Sequence, residues 1–421
     1  MPIVGIRGAT PLIDGVELQA QLATLLRLEN VGLLLGAGAS VVAGGKTMWG
    51  LWADFVETSP GEAQWLRDRG FVPPEALGAP DQRIVPNVER LNDSLEIALV
   101  EWRRQTHSEV PQLEQARAQL SRAVVRAARL HPAWWTSPGG AEAHAEPLQH
   151  HRAILQKLVS ARQPGQAAPW VFTTNYDLAI EWAAESIDLQ VVDGFLGVHA
   201  RRFSPQSFDL GFRNTQARGE ARFGVYNVYL AKLHGSLTWR EDAGQVYEMQ
   251  AALAAASIET FLEDGTQTEL GFMVMPRAAK YMQTIGYVHG ELFRRFSEFL
   301  SRPQTSLVAC GYGFGDEHIN RLLRSALLNP TLQLVVYFPG FNGDALDSAL
   351  PDALRKLLSL KNPRVTVIGG GAEAHLDKLA SQLPDPLLYD EEMRRLTKAL
   401  REPAEQAAGN AAAALARWED L

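Results

Sequence analysis

The stretch VGLLLGAGAS, residues 31–40, decides the fold, because an apolar run passes directly into two closely spaced glycines. An unbroken apolar run is typical of a strand buried on both faces of a parallel sheet. Gly36 and Gly38 predict a tight turn at the end of that strand, where the backbone can approach a pyrophosphate. The dinucleotide-binding pattern requires glycine or alanine where Val41 stands, so a plain tight turn remains the alternative.

Six further apolar runs end in glycine, proline or polar residues. They are WVFTTNYD (170–177), VYLAKLHGS (228–236), FMVMPR (272–277), SLVACGYGFGD (306–316), LQLVVYFPG (332–340) and RVTVIGGG (364–371). Most are too far apart for hairpins, which favours crossover connections. The sequence therefore predicts an α/β fold with a Rossmann-like, doubly wound parallel sheet, whose ligand site lies at the carboxyl ends of the strands.

The spacing of these runs divides the chain into four parts. Between the first two runs, hydrophobic residues recur at helical spacing in two groups: Val88, Leu91, Leu95, Ala98 and Trp102, then Leu113, Ala116, Leu120, Val124 and Ala127. The predicted parts are the first half of a nucleotide-binding domain (1–58), a helical insertion (59–165), the second half of that domain (166–384) and a C-terminal helical tail (385–421). Within them, HPAWWTSPGG (131–140) is expected to be a loop and 196–225 an irregular segment.

Composition narrows the class of protein. The chain has 421 residues, of which 46% are hydrophobic and 21% charged, so it can bury a sizeable core. Its formal charge of −8 disfavours direct nucleic-acid binding. Without a membrane-length apolar run or a signal peptide, we expect no membrane association and a cytoplasmic location. Cys310 is the one cysteine, which excludes an internal disulfide and a cysteine-based zinc module.

The second run ends in TTNYD, residues 173–177. Asparagine and aspartate are unfavourable in strands, so their presence at a strand end requires a reason. One explanation is that Asn175 or Asp177 caps the helix that begins in LAIEWAAE. The other is that the amide of Asn175 binds a ribose hydroxyl or positions a water molecule. The residue types leave both explanations open.

Two later strand ends carry further candidate groups. His234 in KLHGS (232–236) is followed by a glycine, and imidazole exchanges its proton readily near neutral pH, although a purely structural histidine is the alternative. GYGFGD (311–316) predicts a second glycine-rich turn from strand to helix. In that turn Asp316 or Glu317 either caps the helix or binds a ribose.

Two other patterns are weaker. Gly45-Lys46-Thr47 is similar to the end of a phosphate-binding P-loop, but Ser40 stands where the leading glycine is required and no usual helix start follows. An ATPase is therefore the least favoured alternative. The pair His150-His151 lies in the helical insertion, where we expect a solvated face.

Taken in order, GAGAS, TTNYD, KLHGS and GYGFGD resemble the sirtuin-like domain, and most of all the bacterial antiphage sirtuin-like NAD-hydrolases in their short stand-alone form. NVERL (87–91) and MPRAAKY (275–281) are also similar to this group. The resemblance implies that Asn175 lies near the nicotinamide ribose and that His234 is the active-site histidine. It implies an NAD-binding role for the following residues: Gly36, Ala37, Gly38 and Ser40 at the pyrophosphate, Thr174 and Asp177 in the asparagine's loop, and Gly311, Gly313 and Asp316 beside the adenosine ribose.

The same resemblance implies an NAD+ glycohydrolase, which takes NAD as substrate, needs no metal and releases nicotinamide and ADP-ribose. Its relatives deplete NAD in antiviral defence, so we expect a homo-oligomer controlled by assembly with a HerA-type ring ATPase. Protein deacylation is an alternative, but the chain lacks paired C-x-x-C motifs and has Thr174 where deacylating sirtuins have glutamine. A non-catalytic subunit that senses NAD or ADP-ribose is the other alternative.

Overall fold

The computed structural model describes residues 4–12, 14–79, 83–136, 146–162, 165–212, 226–264 and 278–385. Several predicted features lie wholly or partly outside these ranges: the strand in FMVMPR, the start of MPRAAKY, residues 137–140 and 213–225, and the tail beyond residue 385.

A nine-stranded sheet forms the centre of the fold. The strands of the protein are β1 (Gly5–Arg7), β2 (Thr10–Pro11), β3 (Asn30–Leu35), β4 (Trp170–Thr173), β5 (Gln190–Val192), β6 (Phe195–Leu196), β7 (Arg201–Phe203), β8 (Asn227–Lys232), β9 (Trp239–Asp242), β10 (Gln245–Glu248), β11 (Thr305–Cys310), β12 (Gln333–Tyr337) and β13 (Val365–Ile368). The central sheet has the order β2-β1-β13-β12-β11-β3-β4-β8-β5. Its strands from β13 to β5 are parallel, and β1 and β2 extend one edge in antiparallel fashion.

Helices cover both faces of this sheet. They are α1 (Gly15–Leu26), α2 (Met48–Thr58), α3 (Pro60–Asp68), α4 (Val88–Arg104), α5 (Val110–Ala128), α6 (Gln149–Ser160), α7 (Ala179–Glu185), α8 (Ala251–Asp264), α9 (Ala278–Ser301), α10 (Glu317–Ala326), α11 (Asp352–Ser359) and α12 (Leu376–Gln382). Leu33 and Leu35 of β3 pack in one core with α1, α6 and α12, whereas Leu34 packs in a second core with α9, α10 and α11. The two cores confirm the predicted Rossmann-like, doubly wound fold.

Between residues 59 and 165, the described part of the chain contains helices and no strand. α4 and α5 coincide with the two predicted hydrophobic patterns, and α5 packs against α2, α3 and α4. The described part of the predicted loop at 131–140 lies between α5 and α6 and contains neither an α-helix nor a strand. Pro132–Trp135 form a 3-10 turn, and both of its tryptophans are buried against the ring of Trp182. The division of the chain into four parts stays a prediction.

A second sheet is antiparallel and has the order β6-β7-β10-β9. Residues 196–212 are predicted to be irregular. They contribute the last residue of β6, the whole of β7 and the 3-10 helix Pro205–Asp209. Phe195, Phe203 and Trp239 of this sheet share a core with α9. The expectation is wrong for these described residues, because strands of two or three residues are too short to leave a readable hydrophobic pattern.

Cys310 ends β11 and is 1% exposed. Burial, together with the negative charge of Asp377, raises the pKa of its thiol to about 12. A thiol with so little thiolate is unreactive, so this cysteine is a core residue. In the described ranges, no cluster of three or more His, Cys, Asp or Glu side chains is suited to hold a metal ion. None of the described helices combines the length and the apolar character that a membrane-spanning helix requires.

Candidate functional site

The carboxyl ends of β11, β3, β4 and β8 lie side by side. Cys310 pairs with Leu35, Leu35 with Thr173, and Thr173 with Lys232, so the last paired residues of the four strands are level. β3 and β11 are neighbours in the sheet. β4, which follows β3 in the chain, lies on one side of this pair, and β12, which follows β11, lies on the other side. Such a switch point is where α/β sheets bind ligands. The structure thus brings GAGAS, TTNYD, KLHGS and GYGFGD to one edge.

The two glycine-rich turns pack directly against each other. Gly36 N donates to Cys310 O (3.1 Å), and Gly38 N donates to Gly311 O (3.0 Å). A Cβ on Gly36 would lie 2.5 Å from Gly311 O. Gly311 has a φ of +68°, and a Cβ there would lie 2.2 Å from Ala39 N. Close contact of two backbones therefore requires these glycines, and their predicted contact with a pyrophosphate stays a prediction.

A hydrogen-bond network fixes the side chain of Asn175. Its Nδ2 donates to Gly36 O (3.0 Å) and to Ser40 Oγ (2.8 Å). Ser40 Oγ in turn donates to Asp177 Oδ2 (2.6 Å), and both of these residues are buried. Because Gly36 O can only accept, it must face the NH2 group of the amide. The network therefore holds Asn175 Oδ1 in one direction.

Asn175 Oδ1 is buried and has no hydrogen-bond partner among the described residues. Buried polar atoms are nearly always paired, and one without a partner costs about 1–3 kcal/mol. An oxygen of this kind is satisfied by a water molecule or by a hydroxyl group. The N-cap residue of α7 is Leu178, and of the two candidates it is Asp177 that supports the helix start, since its Oδ1 accepts from Ala179 N (3.0 Å).

The loop that carries Asn175 is held from beneath. Thr174 N donates to Leu35 O (3.0 Å), which ties the loop to β3. Lys232 Nζ, on the neighbouring strand, donates to Asp177 O and to Glu181 Oε1 (2.7 Å in the latter bond). Burial raises the pKa of Glu181, although the charge of Lys232 opposes this. These contacts make the strand end a rigid support for the amide.

His234 lies two residues beyond the last paired residue of β8 and is hydrogen-bonded to Asp316, with 2.8 Å between Nε2 and Oδ2. Both side chains are largely buried, at 13% and 11% exposure. Burial alone would raise the pKa of Asp316. The hydrogen bond and charge of His234 and the amides of Ile319 and His318 outweigh that effect, so the pKa lies below its ordinary value. The ionised carboxylate therefore accepts a hydrogen bond from Nε2, which fixes the orientation of the imidazole ring.

Asp316 also caps α10, since its Oδ1 accepts from His318 N (2.7 Å) and Ile319 N (3.1 Å). Of the two predicted alternatives for this residue, the structure shows the helix cap, and the ribose contact stays a prediction. The orienting bond to His234 was not anticipated, because nothing in the spacing of the two motifs relates residues 82 positions apart.

The helical insertion reaches the second glycine turn. Asn87, at the start of NVERL, caps α4 by accepting from Arg90 N (2.9 Å) and donates to Gly315 O (3.3 Å). A cavity of about 280 Å³ opens beside this contact. Its wall includes Phe314 and the cationic side chains of Arg90, Arg321, Arg324 and Lys356. Ala37 and Gly313 are exposed at the same edge.

Two expectations about neighbouring residues are wrong. His151 is buried, whereas a solvated position is predicted for it. Burial and the charge of His150 lower the pKa of His151 to about 4, and its hydrogen bond to the Ala39 backbone opposes this shift only in part. A helix does follow the P-loop-like stretch, because Thr47 Oγ1 accepts from Gly50 N (3.3 Å) and caps α2. Lys46 forms an ion pair with Asp54 there.

His289 of α9 is a residue near the site that the sequence does not single out. Its ring interacts electrostatically with His234, and its Nε2 is buried without a hydrogen-bond partner among the described residues. No motif surrounds it, so only the packing of α9 against β8 and β11 reveals its position.

Comparison with known proteins agrees with this geometry. Residues 169–358 match the model of a family described as SIR2-like domain. The match covers less than half of the chain; it begins beside β4 and includes TTNYD, KLHGS and GYGFGD, whereas GAGAS precedes it. It supports a sirtuin-like family member that binds or uses NAD and has the Rossmann-like fold described above. No curated protein matches the chain.

Proposed function

We propose that the protein is an NAD+ glycohydrolase that cleaves the nicotinamide–ribose bond and releases nicotinamide and ADP-ribose. The observation that supports this most directly is the side chain of Asn175. Its amide is fixed by Gly36 and Ser40, and its buried Oδ1 has no partner among the described residues. An acceptor held in this way suits a ribose hydroxyl or a water molecule at the reacting carbon.

His234 is the proposed base. Asp316 fixes its ring through Nε2, in the manner of an aspartate that orients a catalytic histidine. In its unprotonated form, an imidazole held in this orientation accepts a proton from a ribose hydroxyl or from the attacking water. Asn175 and His234 each lie two residues beyond Thr173 and Lys232, which pair in register, so both follow strand ends at the same edge of the sheet.

The chemistry requires little more than these groups. The carbon–nitrogen bond breaks, its electron pair leaves with nicotinamide, which becomes neutral, and the ribose passes through an oxocarbenium-like state. Water then forms the new carbon–oxygen bond and gives up a proton. Binding in one orientation and exclusion of bulk solvent lower the barrier. The NAD-binding role of the other motif residues, among them Ala37, Thr174, Gly311 and Gly313, is part of the same proposal.

The test is to incubate purified protein with NAD and to measure nicotinamide and ADP-ribose by chromatography. We expect both products in equal amounts, and their loss in Asn175→Ala. Binding of NAD without release of nicotinamide would instead support a sensing subunit. An acyl-ADP-ribose product formed with an acylated peptide would support a deacylase.

We also propose that activity is controlled by assembly, as a homo-oligomer together with a HerA-type ring ATPase, in a cytoplasmic antiphage defence system. The resemblance of the four motifs supports this pairing. The helical insertion offers a contact surface, because Ile97 and Val100 on α4 are 71% and 60% exposed. Adjacent exposed apolar side chains of this kind favour a protein interface.

Light scattering after size exclusion, of the protein alone and with the ring ATPase, tests the assembly. We expect a complex that Ile97→Asp weakens and that the exposed change Leu360→Asp, outside the insertion, leaves intact. A monomer that is fully active and does not bind the ATPase would contradict the proposal.

A further inference from the structure

His289 lies on α9, between core residues and the candidate site. Its neighbours Val288 and Leu292 are buried in the core that α9 shares with β8 and β11. These contacts fix the position of the helix at this point. The ring of His289 is near enough to His234 for the charge of one to act on the other. A second imidazole therefore lies beside the proposed base.

The Nε2 atom of His289 is buried and has no hydrogen-bond partner among the described residues. A buried ring nitrogen without a partner is rare and costly, and it is expected to bind a water molecule or a ligand group. Asn175 Oδ1, beyond the end of β4, is another such atom, and α9 packs against β8, the strand that pairs with β4. A ligand with more than one hydroxyl group would satisfy both atoms.

The protonation state of His289 limits what it can bind. Burial, and then the charge of His234, lowers its pKa to about 4. At neutral pH the ring is therefore uncharged and offers one N–H donor and one acceptor nitrogen. An uncharged imidazole suits a neutral hydroxyl group better than a phosphate, which would call for a cation.

We propose that His289 is a further substrate-binding residue and that its Nε2 hydrogen-bonds a hydroxyl of the nicotinamide ribose. This inference rests on the proposed function, since it places that ribose between His234 and Asn175. The ribose carries two neighbouring hydroxyl groups. One is the partner of Asn175 or His234, and the other is the partner of His289.

The test compares the binding of two probes by calorimetry. Carba-NAD has a methylene in place of the ring oxygen of the nicotinamide ribose, so it keeps both hydroxyls and resists hydrolysis. ADP lacks that ribose. His289→Phe, which keeps the ring but removes its nitrogens, should weaken carba-NAD binding about 3- to 10-fold, the value of one neutral hydrogen bond. ADP binding should not change.

His289→Gln is the rescue variant, because its amide can reach the position of Nε2. We expect it to bind carba-NAD within about twofold of the parent, a difference too small to count as a lost hydrogen bond. His107→Phe is the matched control, since His107 is exposed and stacks on Trp102 in the insertion. It should bind both probes as the parent does.

Three results overturn the inference: unchanged carba-NAD affinity in His289→Phe, an equal loss of ADP affinity, or a glutamine variant as weak as the phenylalanine one. If His289→Phe does not fold, histidine-labelled parent protein gives the answer by nitrogen-15 NMR. Carba-NAD, but not ADP, should then shift the Nε2 resonance of His289, and equal shifts overturn the inference.

The outcome is separable from that of the proposed function. A parent that binds carba-NAD but releases no nicotinamide from NAD contradicts the hydrolase, while the comparison of affinities still decides the role of His289. A parent that binds neither probe overturns both.

Discussion

Ser40 and Asn175 are joined by a hydrogen bond of 2.8 Å, which links the loops that follow two adjacent strands, β3 and β4. The serine hydroxyl accepts from the amide and donates to Asp177, so it can hold the amide in only one orientation. GAGAS thus contributes more than glycines to the site. Its serine fixes the amide so that Nδ2, and not Oδ1, is the atom engaged by the network.

We predict that Asn175→Ala lowers the rate of nicotinamide release about 10²–10⁴-fold while the protein stays folded. The reason is that the variant removes Oδ1, the acceptor proposed to position the ribose or the water. Rates are measured at saturating NAD, with circular dichroism as the check on folding.

Asn30→Ala is the control for that variant. Asn30 is also a buried asparagine, but it is the first residue of β3 and donates to Pro303 O (2.8 Å), at the opposite end of that strand. The Asn30→Ala variant should be less stable than the parent and should keep the parental rate of nicotinamide release. A parental rate in Asn175→Ala would show that the amide has no part in the reaction.

Ser40→Ala separates two roles for this serine. If Ser40 orients Asn175, the variant lowers kcat by about tenfold, the effect of one hydrogen bond, and hardly changes the affinity for carba-NAD. If it binds the pyrophosphate, as the resemblance implies, the affinities for carba-NAD and ADP fall instead. We expect the first result, because the one proton of its hydroxyl is already donated to Asp177, and a pyrophosphate oxygen can only accept.

Ser306→Ala is the matched control for Ser40→Ala. Ser306 is a buried serine of β11 whose hydroxyl donates to Leu25 O (3.0 Å), within the body of the sheet. Its loss should reduce stability without changing kcat. An equal fall in kcat in both variants would mean that Ser40 acts through stability alone.

The central sheet could be predicted from the sequence because parallel strands buried on both faces leave long apolar runs, such as 31–35 and 306–310. The short edge strands β1 and β2 and the second sheet could not. Strands of two or three residues, such as β7, leave no hydrophobic period long enough to recognise.

The candidate site was predictable only at the level of which strand ends carry polar groups. Asn175 and His234 follow apolar runs, so the topology of a parallel sheet places them at one edge. The pairing of His234 with Asp316 depends on the order of β8 and β11 in space, and the position of His289 depends on how α9 packs. Neither is encoded in local sequence.

Close packing of the two glycine turns gives a prediction about stability. Gly36→Ala places a Cβ 2.5 Å from Gly311 O, and neither backbone can move without shifting a central strand. We expect a loss of about 1–3 kcal/mol in the free energy of unfolding, the usual cost of overpacking. Gly313→Ala is the control, because a Cβ there has nothing within 4 Å. Urea unfolding measures both, and equal stability of the two variants would contradict this explanation of the GAGAS glycines.

The hydrogen bond between His234 and Asp316 predicts how stability depends on pH. The pKa of Asp316 lies below its ordinary value in the folded protein, so the carboxylate stabilises the fold above the unfolded-state pKa of about 4. That contribution is lost as the pH falls through the lowered, folded-state pKa. Asp316→Asn has no such dependence, although asparagine can still cap α10. The parent should therefore be more stable than Asp316→Asn at pH 5, and the difference in the free energy of unfolding should narrow at pH 3 and below.

Urea unfolding at these pH values measures that difference. Asp352→Asn is the control, because it loses only an exposed ion pair to Lys356 and should have a small effect at every pH. A difference that stays the same from pH 5 to pH 3 would show that the carboxylate does not stabilise the fold through its charge.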